Sequence, residues 1–106
     1  SLNPNSAENH YNMGICHYHK RDYEKAKKEF KRSIEISDYP DAYLYLGAMH
    51  RLEGDTDMAL YYYRERIKRK QGDDDQYAKE AMRGIRLILN EIAEKEEKAN
   101  ESGNTQ

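Results

Sequence analysis

The same residue types return along this chain at a fixed interval of 33 residues. The identical pairs are Gly14 with Gly47, His17 with His50, Asp22 with Asp55, Ala26 with Ala59, and Ile34 with Ile67. Similar residues also match at this interval, namely Met13 with Leu46, Glu24 with Asp57, and Phe30 with Tyr63. A period of this size indicates an array of helix pairs, in which each unit buries its apolar face only against its neighbours. The period therefore predicts an all-α fold.

Apolar periodicity and capping signals between the repeated residues predict five helices. They are expected at about residues 7–20, 23–36, 40–53, 56–70 and 73–98. Asp22 and Asp55 are good N-caps for the second and fourth helices, and Gly72 can end the fourth. Apolar residues become rare after Ile92, so the last turns are expected to be polar. Residues 100–106 are expected to form a disordered tail.

Composition narrows the class of protein without naming a partner. The chain has 106 residues, of which 37% are hydrophobic, and a net charge of -2. It is one domain or less, and its balanced charge does not by itself indicate a nucleic-acid or anionic-lipid partner. Its longest apolar runs are a few residues, far short of the roughly 20 that span a bilayer. Its single cysteine, Cys16, excludes an internal disulfide, which favours a reducing compartment such as the cytoplasm.

The two units resemble the tetratricopeptide repeat family. A unit of that family has a large residue, then a Leu-Gly pair, an aromatic residue, a small residue and a second aromatic residue. The first unit supplies His10, Met13-Gly14, His17, Asp22-Tyr23, Ala26, Phe30 and Ser33, and the second supplies Tyr43, Leu46-Gly47, His50, Gly54-Asp55, Ala59 and Tyr63. The resemblance implies an α-α superhelix of stacked antiparallel helix pairs, with repeats at residues 7–39 and 40–72.

The resemblance weakens at both ends of the chain. Residues 1–6 include Leu-Asn-Pro-Asn, which resembles the end of a preceding repeat, although an ordinary turn is the alternative. Late in the second unit, Arg66, Arg69 and Gln71 replace small, aliphatic and proline residues of the family pattern. The helix that follows also lacks the Leu-Gly pair. These departures predict a capping helix at residues 73–99 and a chain that is the C-terminal part of a longer protein.

In this family the first helix of each pair lines a concave groove that binds an extended or helical peptide. The resemblance therefore implies a non-catalytic protein–protein interaction module. The residues that match the groove positions are Tyr11, Asn12, Ile15, Tyr18, His19, Leu44, Tyr45, Ala48, Arg51 and Leu52. Tyrosines suit such a surface because they offer a large contact area and a hydrogen-bonding end. Alternatively, some of these residues pack inward or lie under the fifth helix.

The groove residues argue against one mode of binding, the clamping of a C-terminal carboxylate. Chaperone-adaptor members of the family clamp a C-terminal carboxylate with lysines and asparagines. The matching positions here hold Tyr11, Ile15 and Tyr45, so that chemistry is absent.

Two other binding modes remain open. In the first, an N-terminal face left exposed by a missing repeat mediates self-association. In the second, a convex basic band contacts nucleic acid or an acidic protein, although such a face is more often simply solvated. The predicted band comprises residues 64–70 together with Lys25, Lys27, Lys28, Lys31 and Arg32.

The sequence indicates neither an enzyme nor a metal or cofactor site. His17 and His19 point to opposite sides of a helix, and His10 and His17 are two turns apart, so they do not form a ligand set. His17 and His50 occupy the position that usually holds a large core aromatic residue in the family, and they are expected to be packing residues. The alternative is that they lie near each other between the units and make the stacking of the units sensitive to pH. Cys16 is expected to be a buried structural residue.

Overall fold

The structure, a computed structural model, describes residues 5–104 and is built there from five helices without strands. The helices are α1 (Ala7–His19), α2 (Tyr23–Ser37), α3 (Pro40–Leu52), α4 (Thr56–Lys68) and α5 (Gln76–Asn104). The predicted all-α fold is confirmed. The proposed end of a preceding repeat, at residues 1–6, lies largely outside the described residues, as do residues 105–106.

Local side-chain chemistry sets where most helices begin. Ser6, Asp22 and Asp55 each accept a hydrogen bond from the backbone amide three residues ahead, at 3.0, 3.4 and 3.2 Å. These bonds satisfy amides that a helix N-terminus otherwise leaves without partners. The helix α3 has no such bond and begins with Pro40 in its first turn, where a missing amide costs nothing.

The repeated glycines mark the closest approach of the helices within each pair. A Cβ atom on Gly14 would lie 2.7 Å from the ring of Phe30, and one on Gly47 would lie 2.7 Å from the ring of Tyr63. Both distances are too short for a methyl group. The 33-residue period is therefore a period of helix contacts, in which an aromatic ring of the second helix lies against a glycine of the first.

Each helix packs on the next along the chain, and α5 also contacts α3. A first core cluster, centred on α2 and α3, contains Ala26, Phe30, Ala42, Leu46 and Met49. A second cluster, which includes α5, contains Leu44, Ala59, Tyr63, Ala81 and Ile88. The helix α5 thus covers an apolar surface formed by α3 and α4.

The joint between α4 and α5 is held by Arg66, whose side chain is only 2% exposed. Its Nη2 donates to both carboxylate oxygens of Asp75, at 2.8 and 2.9 Å, and to Asp41 at 3.3 Å. Asp75 also accepts hydrogen bonds from the backbone amides of Gln71 and Ala78, at 2.8 and 3.1 Å. Arg66 departs from the family pattern, yet it connects α3, α4 and the start of α5.

The end of α5 corrects the sequence prediction. The helix continues past residue 99 to Asn104, so residues 100–104 are helical rather than disordered. The segment after Ile92 is rich in Ala, Glu and Lys, which favour helix, and contains no proline. Side chains 93–103 are all exposed, as the polar sequence predicts.

Candidate functional site

A cavity of about 410 Å³ opens between α1, α3 and α5, and we call it the tyrosine groove. Its lining residues are Tyr18, Leu44, Tyr45, Ala48, Arg51, Tyr63, Tyr77 and Glu80. Five of the ten groove residues expected from the sequence meet here, namely Tyr18, Leu44, Tyr45, Ala48 and Arg51. The volume falls within the roughly 300–1,000 Å³ that is usual for ligand pockets.

The central residue of the groove is Tyr45, whose ring contacts aromatic rings from three other helices. Its centroid lies 5.2 Å from Phe30 in a stacked arrangement, 5.4 Å from Tyr18, 5.9 Å from Tyr11 and 6.4 Å from Tyr77. Burial and a hydrogen bond with Tyr77 raise the pKa of Tyr45 to about 12. The shift follows from burial among the surrounding rings, which hold the Tyr45 side chain in place.

The other five expected groove residues lie outside the lining of this cavity. Tyr11 and Ile15 pack against the first core cluster, as the inward-packing alternative describes. Asn12 and His19 are exposed on α1. Leu52 is 59% exposed at the end of α3, one turn beyond Ala48.

Three lining residues were not expected from the sequence, and two of them, Tyr77 and Glu80, belong to α5. Sequence reasoning treated α5 as a cap and confined the groove to the two repeats. One signal was available, because Tyr77 follows Tyr43 by 34 residues, close to the repeat period. The third unexpected residue, Tyr63, reaches the cavity from α4. The groove thus has a third wall, which α5 supplies.

The far end of the groove is polar. Arg51 Nη2 donates to Glu91 Oε1 at 3.1 Å, which joins α3 to α5. Arg51 Nε is buried and has no hydrogen-bond partner among the described residues. Helical spacing puts Leu87, which is 42% exposed, on the same face of α5 as Glu80 and Glu91. An exposed leucine and an arginine therefore lie at the same end of the groove.

The structure corrects the predicted basic band. Arg66 is buried, and Arg69 donates to Asp38 at 2.9 Å and lies 4.1 Å above the ring of Tyr43. Lys27 is 12% exposed and pairs with two glutamates at 3.0 and 2.7 Å. These three cations are therefore already paired with carboxylates, and Arg66 and Lys27 are also largely buried. The exposed members of the predicted band are Lys25, Lys28, Lys31, Arg32, Arg64, Lys68 and Lys70.

Two histidines take part in packing between helices. The ring of His50 stacks on that of Tyr62, with centroids 5.4 Å apart. Burial, and then the nearby charge of Lys27, lower the pKa of His50. His10 Nδ1 lies 2.6 Å from Glu29 Oε2 and joins α1 to α2. Of the other two histidines, His17 is half-buried and His19 is exposed.

Cys16 is exposed, so the expectation of a buried cysteine is wrong. It lies on a face of α1 that no described helix covers. Within residues 5–104, no group of three or more His, Cys, Asp or Glu side chains is placed to hold a metal ion. No helix in this part of the chain is long and apolar enough to cross a membrane.

Comparisons with known proteins agree with this architecture. The family model described as tetratricopeptide repeat matches residues 7–38. BBSome complex member BBS4 is 27% identical to this chain in Mus musculus and 25% identical in Bos taurus, in each case over 67 residues, or 63% of the chain. The chain spans only 13% of the length of these two relatives.

The crystal structure of MamA superposes on this chain with a TM-score of 0.63 at 24% identity. The superposition covers 91% of this chain and 64% of that one, and it shows the fold alone. Residues 7–38 therefore match the tetratricopeptide repeat model, and the chain as a whole shares the helical-repeat fold of MamA.

Proposed function

We propose that the chain binds an extended or helical segment of a partner protein in the tyrosine groove. Tetratricopeptide repeats are non-enzymatic protein-interaction modules, and the groove is a concave site lined largely by aromatic side chains. The observation that carries the proposal is the cluster of Tyr18, Tyr45 and Tyr77 around one cavity. Their rings hold one another in place, so little conformational entropy is lost when a partner packs against them.

Exposed apolar side chains beside the cavity add support. Leu52 and Leu87 are 59% and 42% exposed on the two helices that flank the polar end of the groove. Large apolar side chains grouped beside a cavity are typical of interaction surfaces. The relatives in Mus musculus and Bos taurus are named as members of a protein complex, which agrees with a role in assembly for the matched segment.

A phage-displayed library of random linear peptides tests the proposal, with the intact chain as bait. Ala48→Gln adds volume inside the cavity without adding charge, and Met58→Ala is the matched control on the exposed surface of α4. Peptides selected by the wild-type chain should bind Ala48→Gln at least about fivefold more weakly, as loss of a central contact costs about 1 kcal/mol or more. Binding to Met58→Ala should not change.

Circular dichroism of both variants shows whether each retains its helices. Equal binding of the selected peptides to wild type and to a folded Ala48→Gln variant would place the binding site elsewhere.

Self-association through the N-terminal face is the second candidate, and it is favoured by one observation. Met13 on α1 is 41% exposed and lies near the exposed Cys16. Sedimentation over a range of concentrations separates the two candidates, since groove binding leaves the free chain monomeric and self-association does not. Nucleic-acid binding through the basic band has less support, because Arg66 and Arg69 are already paired with carboxylates.

A further inference from the structure

We infer that Arg51 is the anion-binding residue of the tyrosine groove and that Glu91 occupies it in the free protein. The partner segment then carries an acidic side chain next to an apolar one, and its carboxylate displaces Glu91. This inference rests on the proposed function, because it names the chemistry of the segment that the groove binds.

The contact between Arg51 and Glu91 leaves most of the guanidinium unused. Arginine usually binds a carboxylate through two parallel N–H donors, which gives the pair both strength and direction. Here one nitrogen, Nη2, donates to one oxygen of Glu91 at 3.1 Å, and the buried Nε has no acceptor among the described residues. A buried donor without an acceptor is unfavourable. When Glu91 leaves, the guanidinium is free to turn toward the cavity and offer two donors to one incoming carboxylate.

Exposure makes the contact with Glu91 easy to break. The side chains of Arg51 and Glu91 are 34% and 57% exposed, and such pairs contribute little to stability in water. The pair between Arg66 and Asp75 on the same molecule is the opposite case. Its side chains are 2% and 6% exposed, and its donor contacts both carboxylate oxygens. Arg66 Nε is also buried without a partner among the described residues, so burial of both partners and contact with both carboxylate oxygens are what distinguish the structural pair of Arg66 from the exchangeable pair of Arg51.

The surrounding charges and apolar groups define the complementary partner. Arg51 is the only cation among the residues that line the cavity, and Glu80, the one anion there, lies 2.6 Å from Arg83 on its own helix. Arg51 is therefore the one cation of the lining that a carboxylate entering the cavity meets. Leu52 follows Arg51 on α3, Leu87 lies one turn before Glu91 on α5, and both are exposed, so the residue next to the acidic one should be apolar.

The experiment repeats the peptide selection with three baits, namely the wild-type chain, Arg51→Gln and Glu91→Gln. Peptides from the wild-type selection should share an Asp or Glu next to an apolar residue, and Arg51→Gln should lose that preference. A selected acidic peptide should bind Arg51→Gln about tenfold more weakly, the scale of a charged hydrogen-bonded pair. It should bind Glu91→Gln about two- to fivefold more tightly, since a weak competing ion pair is gone.

Matched variants control for net charge. Glu94→Gln makes the same change one turn along α5, and Arg64→Gln makes it on the exposed surface of α4, so both should bind the peptide as the wild type does. Arg51→Lys keeps the charge but not the two-donor geometry and should bind with intermediate affinity. Because Arg51→Lys keeps a long cationic side chain, it also keeps the test open if Arg51→Gln fails to fold.

The outcomes separate this inference from the function on which it rests. If Ala48→Gln abolishes binding but the peptides lack a shared acidic residue, the groove proposal stands and the role of Arg51 is wrong. Weaker binding to Glu91→Gln would also overturn the role of Arg51, because Glu91 would then support the groove instead of competing for it. If Ala48→Gln binds normally, the groove proposal itself is wrong.

Discussion

The ring of Tyr63 is held between glycines on two different helices. A Cβ atom would lie 2.7 Å from this ring if built on Gly47 and 2.6 Å if built on Gly84. Gly47 belongs to the repeat pattern, whereas Gly84 lies outside it on α5. The close packing of α5 on α4 thus depends on a glycine that the repeat period does not mark.

Gly84→Ala should destabilise the protein by about 1–3 kcal/mol, the usual cost of forcing an extra carbon into a packed core. The overpacking should exceed the gain of about 1 kcal/mol that alanine brings to a helix interior. Urea unfolding followed by circular dichroism measures the difference. Gly103→Ala is the control on the same helix, since nothing lies within 4 Å of its Cβ position. Its stability should be unchanged or slightly higher, and equal losses for both variants would contradict the close contact.

At the scale of the helices, the start of α5 depends on the ionised form of Asp75. Burial raises the pKa of this carboxyl, but hydrogen bonds from the amides of Gln71 and Ala78, together with those from Arg66, outweigh burial and hold the pKa at about 2. An unfolded aspartate has a pKa of about 3.9. Folding therefore favours the charged form, and the ionised side chain stabilises the joint between α4 and α5.

This depressed pKa predicts how stability changes in acid. The contribution of Asp75 is fully present above about pH 4 and should be lost as the pH falls from about 4 to about 2, a change of about 2–3 kcal/mol. Urea unfolding of the wild type and Asp75→Asn across this range isolates the effect from the other carboxylates. The variant is less stable at neutral pH, but its stability should fall less steeply in acid. Asp73→Asn, at a fully exposed site, should keep the wild-type slope, and a matching slope for Asp75→Asn would contradict the assignment.

The helices could be predicted from the sequence because their signals are local. Caps such as Asp22 and Asp55 lie within a few residues of the helices that they start, and the glycine–ring contact repeats at one interval. The role of Arg66 could not be predicted in this way. Its partners Asp41 and Asp75 lie in other helices or joints, and only the packed chain brings them together. A charged residue at a position that favours small ones therefore indicated a weakened repeat instead of an ion pair.

The residues of the groove likewise divide into those with a local sequence signal and those that only tertiary packing brings together. Tyr18, Tyr45 and Arg51 could be placed from the repeat period, because they lie on the first helices of the two units. Tyr77 and Glu80 could not be predicted, because α5 lacks the Leu-Gly pair and its sequence indicates a capping helix. Whether α5 only covers the core or also lines the cavity is set by how α3 and α5 pack against each other. That tertiary contact has no local signal.

The molecule as a whole is more elongated than a compact domain of its length. Its radius of gyration is 16.5 Å and its extents are 68 × 32 × 20 Å, whereas about 13 Å is typical for a compact chain of this size. The helix α5 accounts for the difference, because its 29 residues span about 43 Å at 1.5 Å per residue. Its last half-buried side chain is Ile92, and residues 93–103 are exposed on every side.

Removal of residues 94–106 should therefore change the shape of the protein more than its stability. The truncated chain should unfold within about 0.5 kcal/mol of the full chain, as is usual for changes at solvated positions, and its radius of gyration by X-ray scattering should fall. A deeper truncation that starts at residue 87 would also remove Ile88, which is 2% exposed, and the half-buried Ile92. It should be strongly destabilising, because it uncovers the second core cluster. A large loss of stability from the shorter truncation alone would mean that the end of α5 contacts the rest of the chain in solution.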